Sequence, residues 1–167
     1  MSFVKRFLRH IWMSPIIRDR KFSRSTLAAI EQAVSTGEKL HRGQVRFVVE
    51  AELSVAQLWH GIHARQRALE VFSMLRVWDT EENNGVLVYV MLADRKVEIV
   101  ADRGIHCHVG DERWQAICRE LELHYRKGDF SAGSVVAIQK ISEELKFYFP
   151  ANGRAHQNEQ SDTPVVL

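Results

Sequence analysis

The fold is decided by the stretch Asn83-Asn84-Gly85-Val86-Leu87-Val88-Tyr89-Val90-Met91-Leu92-Ala93-Asp94-Arg95-Lys96-Val97-Glu98-Ile99-Val100-Ala101-Asp102. Asn-Gly at its start is strong turn chemistry. Val86 to Leu92 is an unbroken apolar run, bounded at both ends, and reads as a strand buried on both faces. Asp94-Arg95 turns the chain. Lys96 to Ala101 then alternates Val97, Ile99 and Ala101 against Lys96 and Glu98, the pattern of the next strand of a hairpin. A strand with no solvent face needs cover on both sides, which points to helices above and below one sheet.

The flanking sequence supplies that cover. Leu27, Ile30 and Val34 share a face over 25–40, with Ser23 or Ser25 available as cap. Gln44 to Glu50 is β-branched and aromatic, and reads as a strand. Ser54 opens a short helical piece that falters at His60-Gly61, and Ala68, Leu69, Phe72 and Leu75 stripe a firmer helix from Ala64. Asp102 to Gly110 reads as a loop. Trp114, Ile117, Cys118, Leu121 and Tyr125 form the face of a helix that starts on Asp111-Glu112 and stops at Lys127-Gly128. A last helix runs from Ser131 to Phe149, with Pro150 ending it. The order α, β, α, β, β, α, α predicts an α/β fold with at least three strands. The expected organisation is a basic amphipathic arm over 1–22, an α/β domain over 23–150 and a flexible tail over 151–167, polar until Val165.

The formal net charge of +2 conceals an uneven distribution. Residues 1–24 hold seven Lys/Arg and one acid, Asp19, while the rest holds 16 basic and 20 acidic residues. Apolar residues are 46 % and charged residues 26 %, ordinary globular values that exclude a disordered or collagen-like chain. Lys5, Arg6, Arg9 and His10 break every candidate apolar run near the start, so no export signal or membrane span is expected and a cytoplasmic location follows. Two cysteines, Cys107 and Cys118, do not make a disulfide framework. Basic residues are not interleaved with aromatics on any strand, which disfavours nucleic acid. No glycine-rich phosphate loop is present, so no nucleotide cofactor is expected. Phe3, Phe7, Leu8, Ile11 and Trp12 recur at helical spacing among the arm's cations, a pattern suited either to an anionic membrane surface or to packing on the domain itself or a second subunit.

Residues 44–149 resemble the TPM-domain family, whose members include thylakoid-lumen phosphatase-like proteins and small bacterial proteins. The resemblance rests on an ordered series. Ala68-Leu69-Glu70-Val71-Phe72 leads to Trp78-Asp79-Thr80. Then come Asn84-Gly85-Val86-Leu87, Val97 to Ile105 with its glycine loop, and Lys127-Gly128-Asp129-Phe130 between the last two helices. Ala101 stands where the family often has glycine, and Ile105 where it has leucine. The resemblance is to the short cytoplasmic bacterial branch. It implies a mixed central sheet of about four strands sandwiched between helices, and a cleft at strand-end loops where some members bind calcium or another divalent cation. An acid phosphatase activity is also associated with the family.

Two loops carry the candidate chemistry. Asp79, Glu81, Glu82, Asn83 and Asn84 offer the oxygen donors that Ca²⁺ or Mg²⁺ takes, although their spacing is not that of a calcium-loop motif; as plain turn chemistry they need no ion. Asp102, His106, Cys107 and His108 form a single cluster with imidazole and thiolate donors. Asp102 either ligates a metal or fastens its loop through backbone N–H groups. The candidate metal set is Asp102, Asp79, Glu82, Asn84 and His106. Arg65, Arg67, Arg76 and Arg103 either gather around an anion or, for Arg65 and Arg67, form the solvated face of a helix. The expectation is a non-enzymatic binding or adaptor module with a divalent-cation site, Ca²⁺ for preference. The alternatives are a weak metal-dependent acid phosphatase and a membrane-surface accessory protein docked through residues 3–20 at the inner membrane face; a protein partner is not specified.

Overall fold

A computed structural model describes residues 3–13, 15–151 and 159–167. Two short helices, α1 (Phe3–Ile11) and α2 (Pro15–Lys21), precede α3 (Arg24–Glu38). Strand β1 (Gln44–Glu50) leads through α4 (Val55–Trp59) and α5 (Ala64–Met74) to β2 (Gly85–Met91), which turns into β3 (Lys96–Ala101). Then follow α6 (Arg103–Val109), α7 (Asp111–Lys127), α8 (Phe130–Tyr148) and β4 (Val165–Val166).

The strands form one mixed sheet in the order β3-β2-β1-β4. β1 and β2 are parallel, with Gln44 opposite Gly85 and Glu50 opposite Met91. β2 and β3 are antiparallel, with Val86 opposite Ala101 and Met91 opposite Lys96. The apolar run of β2 is buried at every position because alternate residues serve two cores. Val86, Val88 and Val90 join Phe47, Ile99, Ile117, Leu121, Ile138 and Ile141 beneath α3, α7 and α8. Leu87, Tyr89 and Met91 join Val48, Leu58, Ala68 and Val71 beneath α4 and α5. Helices on both faces of a four-strand mixed sheet are the expected architecture.

Three features depart from the sequence expectation. The stretch 102–110 is not a loop: Asp102 caps α6, its side chain accepting from Arg103 N at 2.7 Å, and Gly110 stops the helix at φ 79°. The end of the expected flexible tail is β4, which pairs in parallel with β1. Side chains hold this segment: Gln44 Oε1 accepts from Glu159 N and Gln160 N, at 2.9 and 2.8 Å. Arg46 donates to Ser161 O, and Thr163 Oγ1 donates to Glu31 at 2.7 Å. The part of the tail over 152–158 lies outside the described residues.

The third departure is the arm. α1 packs with its polar face inward. Arg6 Nη2 lies 2.8 Å from Asp94 Oδ2 and donates to Ile62 O at 2.6 Å. His10 bridges Asp94 Oδ1 at 3.1 Å and, through Nδ1, accepts from Leu53 N at 2.9 Å. Phe3, Leu8 and Ile11 are exposed, and Trp12 is 79 % exposed. The arm docks by buried ion pairs together with Phe7, which packs against the core beneath α4 and α5, while most of its apolar stripe faces outward.

Candidate functional site

The two loops singled out in the sequence meet at one corner of the sheet. The antiparallel register that pairs Val86 with Ala101 sets Asp102 beside Gly85, and Asp102 N donates to Gly85 O at 2.8 Å. The first turn of α6 then runs against the loop before β2. Ile105 N donates to Asn83 O at 3.3 Å. A Cβ on Gly104 would fall 2.5 Å from Asn83 O and 2.6 Å from Glu82 O, so glycine is required here for close approach. Asn83 takes the left-handed conformation of the turn, φ 52°. Gly85 is needed because a Cβ would meet Val77 O.

Asn84 is 1 % exposed. Its Nδ2 donates to Arg42 O at 3.2 Å and to Glu82 Oε2 at 3.3 Å, and its backbone N–H donates to Thr80 Oγ1 at 3.1 Å. Its Oδ1 is buried without a hydrogen-bond partner, and so is Asp102 Oδ2. Arg42 Nε lies 3.0 Å from Glu82 Oε2, an ion-pair contact without hydrogen-bond alignment. The structure therefore brings Glu82, Asn84 and Asp102 to one corner. It leaves two of the sequence candidates outside. Asp79 is exposed, and among the described residues its side chain makes no hydrogen bond or ion pair. His106 reaches toward Asp111, with Nε2 3.9 Å from Oδ1. Cys107 is exposed and donates to Gly104 O, while burial pushes the Cys118 thiol up to about 12 and leaves it inert.

The corner's donors are an amide oxygen, two carboxylates and the nearby carbonyls of Glu82 and Asn83. This is oxygen chemistry, suited to a hard cation that keeps part of its water shell. Among the described residues no group of three or more His, Cys, Asp or Glu is placed to hold a metal, and the corner itself brings two carboxylates together.

The arginines do not gather. Arg67 forks onto Glu50, which is 6 % exposed, through Nε and Nη2 at 2.9 and 3.0 Å. Tyr89 Oη donates to the same carboxylate at 2.5 Å. Burial, followed by the hydrogen bond to Glu50 and then its charge, pushes the Tyr89 hydroxyl far above its usual range. Arg65 donates to Ile99 O at 2.6 Å. Arg67 is thus a structural fastener between α5 and the sheet, while Arg65, with its side chain half exposed, adds one bond to the sheet from a solvated position.

The corner lies at the amino ends of β1 and β2, whereas ligands in open α/β sheets commonly sit beyond the carboxyl ends. At the opposite end Lys21, Arg95, Lys96, Arg126 and Lys127 surround a cleft. Sequence reasoning missed this group because its members lie in three distant segments. The only signal was the base-rich start of the chain, which was read as a separate arm.

The TPM-domain family model matches residues 18–144, and the chain belongs to that family. It is similar to the solution structure of the BA42 protein from the psychrophilic bacterium Bizionia argentinensis: 29 % identity, a TM-score of 0.75, and coverage of 87 % of this chain and 94 % of that one. The N-terminal domain of a P. gingivalis protein shares the fold at 16 % identity and a TM-score of 0.61, covering 81 % of this chain and 82 % of that one. No curated protein matches. No helix among the described residues is long and apolar enough to cross a membrane.

Proposed function

We propose that this TPM-domain protein is a non-catalytic binding module whose corner of Glu82, Asn84 and Asp102 takes a divalent cation, Ca²⁺ for preference. The observation that carries the reading is the pair of buried, unpartnered oxygens, Asn84 Oδ1 and Asp102 Oδ2, on adjoining strand ends. An unsatisfied buried acceptor costs about 1–3 kcal/mol, more when charged, and a cation offsets that cost. Asp102 Oδ1 is occupied by its cap, so Oδ2 is the atom left to face an ion.

Calcium titration of the full chain, followed by amide NMR shifts, tests it. Residues 82–85 and 102–105 shift first, and Asp102→Asn, which keeps the capping oxygen, weakens affinity about tenfold or more. Equal affinity in the variant, or no shifts at millimolar calcium, overturns the proposal. Metal-dependent turnover of a generic phosphomonoester that Asp102→Asn abolishes would favour the hydrolase instead.

A second reading, docking on a membrane surface, is favoured by the inverted arm. Burial of Arg6 and His10 turns Leu8, Ile11 and Trp12 outward beside Lys5. Flotation with anionic vesicles is expected to fall on Leu8→Ser/Trp12→Ser, and unchanged flotation sinks this reading.

A further inference from the structure

α4 is five residues long, and its rotation is fixed at both ends. A capping box holds its start: Ser54 Oγ accepts from Gln57 N at 3.3 Å, and Gln57 Oε1 accepts from Ser54 N at 2.9 Å. Near its other end Leu58 is buried in the core beneath α4 and α5. With Leu58 turned inward, Val55 and Trp59, four residues apart, share a face left to solvent. Trp59 is 76 % exposed. Its ring stands edge-on to Phe3 of α1, with centroids 6.4 Å apart, and Phe3 stacks on Phe7 at 6.0 Å.

α1 is fixed in the same manner. Arg6 and His10 are drawn inward by Asp94 and Phe7 by the core, so Val4, Leu8 and Ile11 point out, and Trp12 follows them. Scattered apolar side chains on a surface need no explanation, but a contiguous group does. Here α1 and α4 meet through Phe3 and Trp59, and the exposed apolar side chains continue from one helix to the other.

Charge decides what covers this face. Residues 1–24 hold seven Lys/Arg and one acid. Lys5 is exposed on α1, and Arg18, Arg20 and Lys21 end α2. A second copy seated on the face by two-fold symmetry would bring these cations against their own counterparts. An anionic bilayer meets them with headgroups, and it takes Trp, Phe and aliphatic side chains into the boundary below. We infer that Val55 and Trp59 of α4 join α1 in one preformed face that binds an anionic phospholipid bilayer peripherally. The inference rests on the membrane-surface reading above and adds to it a second element and the class of lipid. Both helices are oriented before contact, so binding carries no cost of ordering a free segment.

Flotation of the full chain with phosphatidylcholine vesicles, and with vesicles that also contain phosphatidylglycerol, tests it. The chain is expected to float with the anionic vesicles and to partition about tenfold less onto phosphatidylcholine alone. Trp59→Ser is expected to weaken partition about fivefold or more with Tm unchanged, since its ring is exposed in the free protein. Trp78→Ser removes a half-exposed tryptophan from the loop before β2, away from α1, and is expected to leave flotation as it was. Flotation lowered by Leu8→Ser/Trp12→Ser but not by Trp59→Ser overturns this inference and leaves the arm's own docking standing. Flotation unaffected by either variant, or equal on both kinds of vesicle, overturns it as well. So does a concentration-dependent dimer that Trp59→Ser breaks, with no flotation, which would seat a second copy on the face.

Discussion

Glu38 shows how one side chain ties the chain's end to its sheet. Its Oε1 accepts from Val45 N at 2.9 Å, and its carboxyl shares a hydrogen bond with Asp162 in the segment that leads to β4. Burial, helped by the Asp162 charge, raises it to about 8 against the opposing Val45 hydrogen bond. The raised value means that the protonated form is favoured in the folded state. Its contribution is full below about pH 4.5, falls as pH rises, and is lost above about 8. Glu38→Gln keeps the Val45 contact and donates to Asp162 permanently. It is expected to flatten this part of the pH profile and to raise Tm at pH 8, measured by thermal unfolding from pH 5 to pH 9; an unchanged profile counts against the shared proton. Asp102 and Asn84 were legible as candidates because polar residues at strand ends draw attention. Which of their oxygens lacks a partner was not, because that depends on Arg42, Thr80 and the cap on α6. Gly104 was legible as special, but its reason is close approach to Asn83 and Glu82 carbonyls rather than an unusual φ.

At the scale of elements, α1 is attached to the domain chiefly through Arg6 and His10 on Asp94. Burial alone would raise the Asp94 carboxyl, but His10 and Arg6 hydrogen bonds hold it well below the usual range. A lowered value means stability present at neutral pH and lost as pH falls through the acid range. Asp94→Asn leaves Arg6 without its counter-ion, and is expected to undock the arm. Proteolysis at Lys5 and Arg9 should accelerate at least tenfold while hydrogen exchange of β2 stays slow; unchanged cleavage would mean that the arm is held otherwise. Arg6 and His10 stood out in the sequence only as interruptions of an apolar run, because their partner lies 84–88 residues away. Most elements were legible because their apolar periodicity is strong. α6 was not, since seven residues with Gly104 and a His-Cys-His run carry no stripe. β4 was not, since two valines behind a proline are too short for alternation and exist as a strand through pairing with β1.

For the whole molecule, the even-looking charge resolves into two ends of one sheet. At the amino ends of β1 and β2, Glu82, Asn84 and Asp102 present oxygens; at their carboxyl ends, Lys21, Arg95 and Lys127 present cations. The order of strand and glycine segments made the TPM fold legible because it follows the chain. The cationic end was hidden because residues 21, 95 and 127 meet only after folding. The central claim, a divalent cation held at the corner, is tested most directly by a high-resolution crystal structure grown from calcium-containing buffer. The account predicts a peak within about 2.3–2.6 Å of both Asn84 Oδ1 and Asp102 Oδ2, completed by carbonyls or water. Both oxygens turned to protein or water donors, with no ion between the loops, would contradict it.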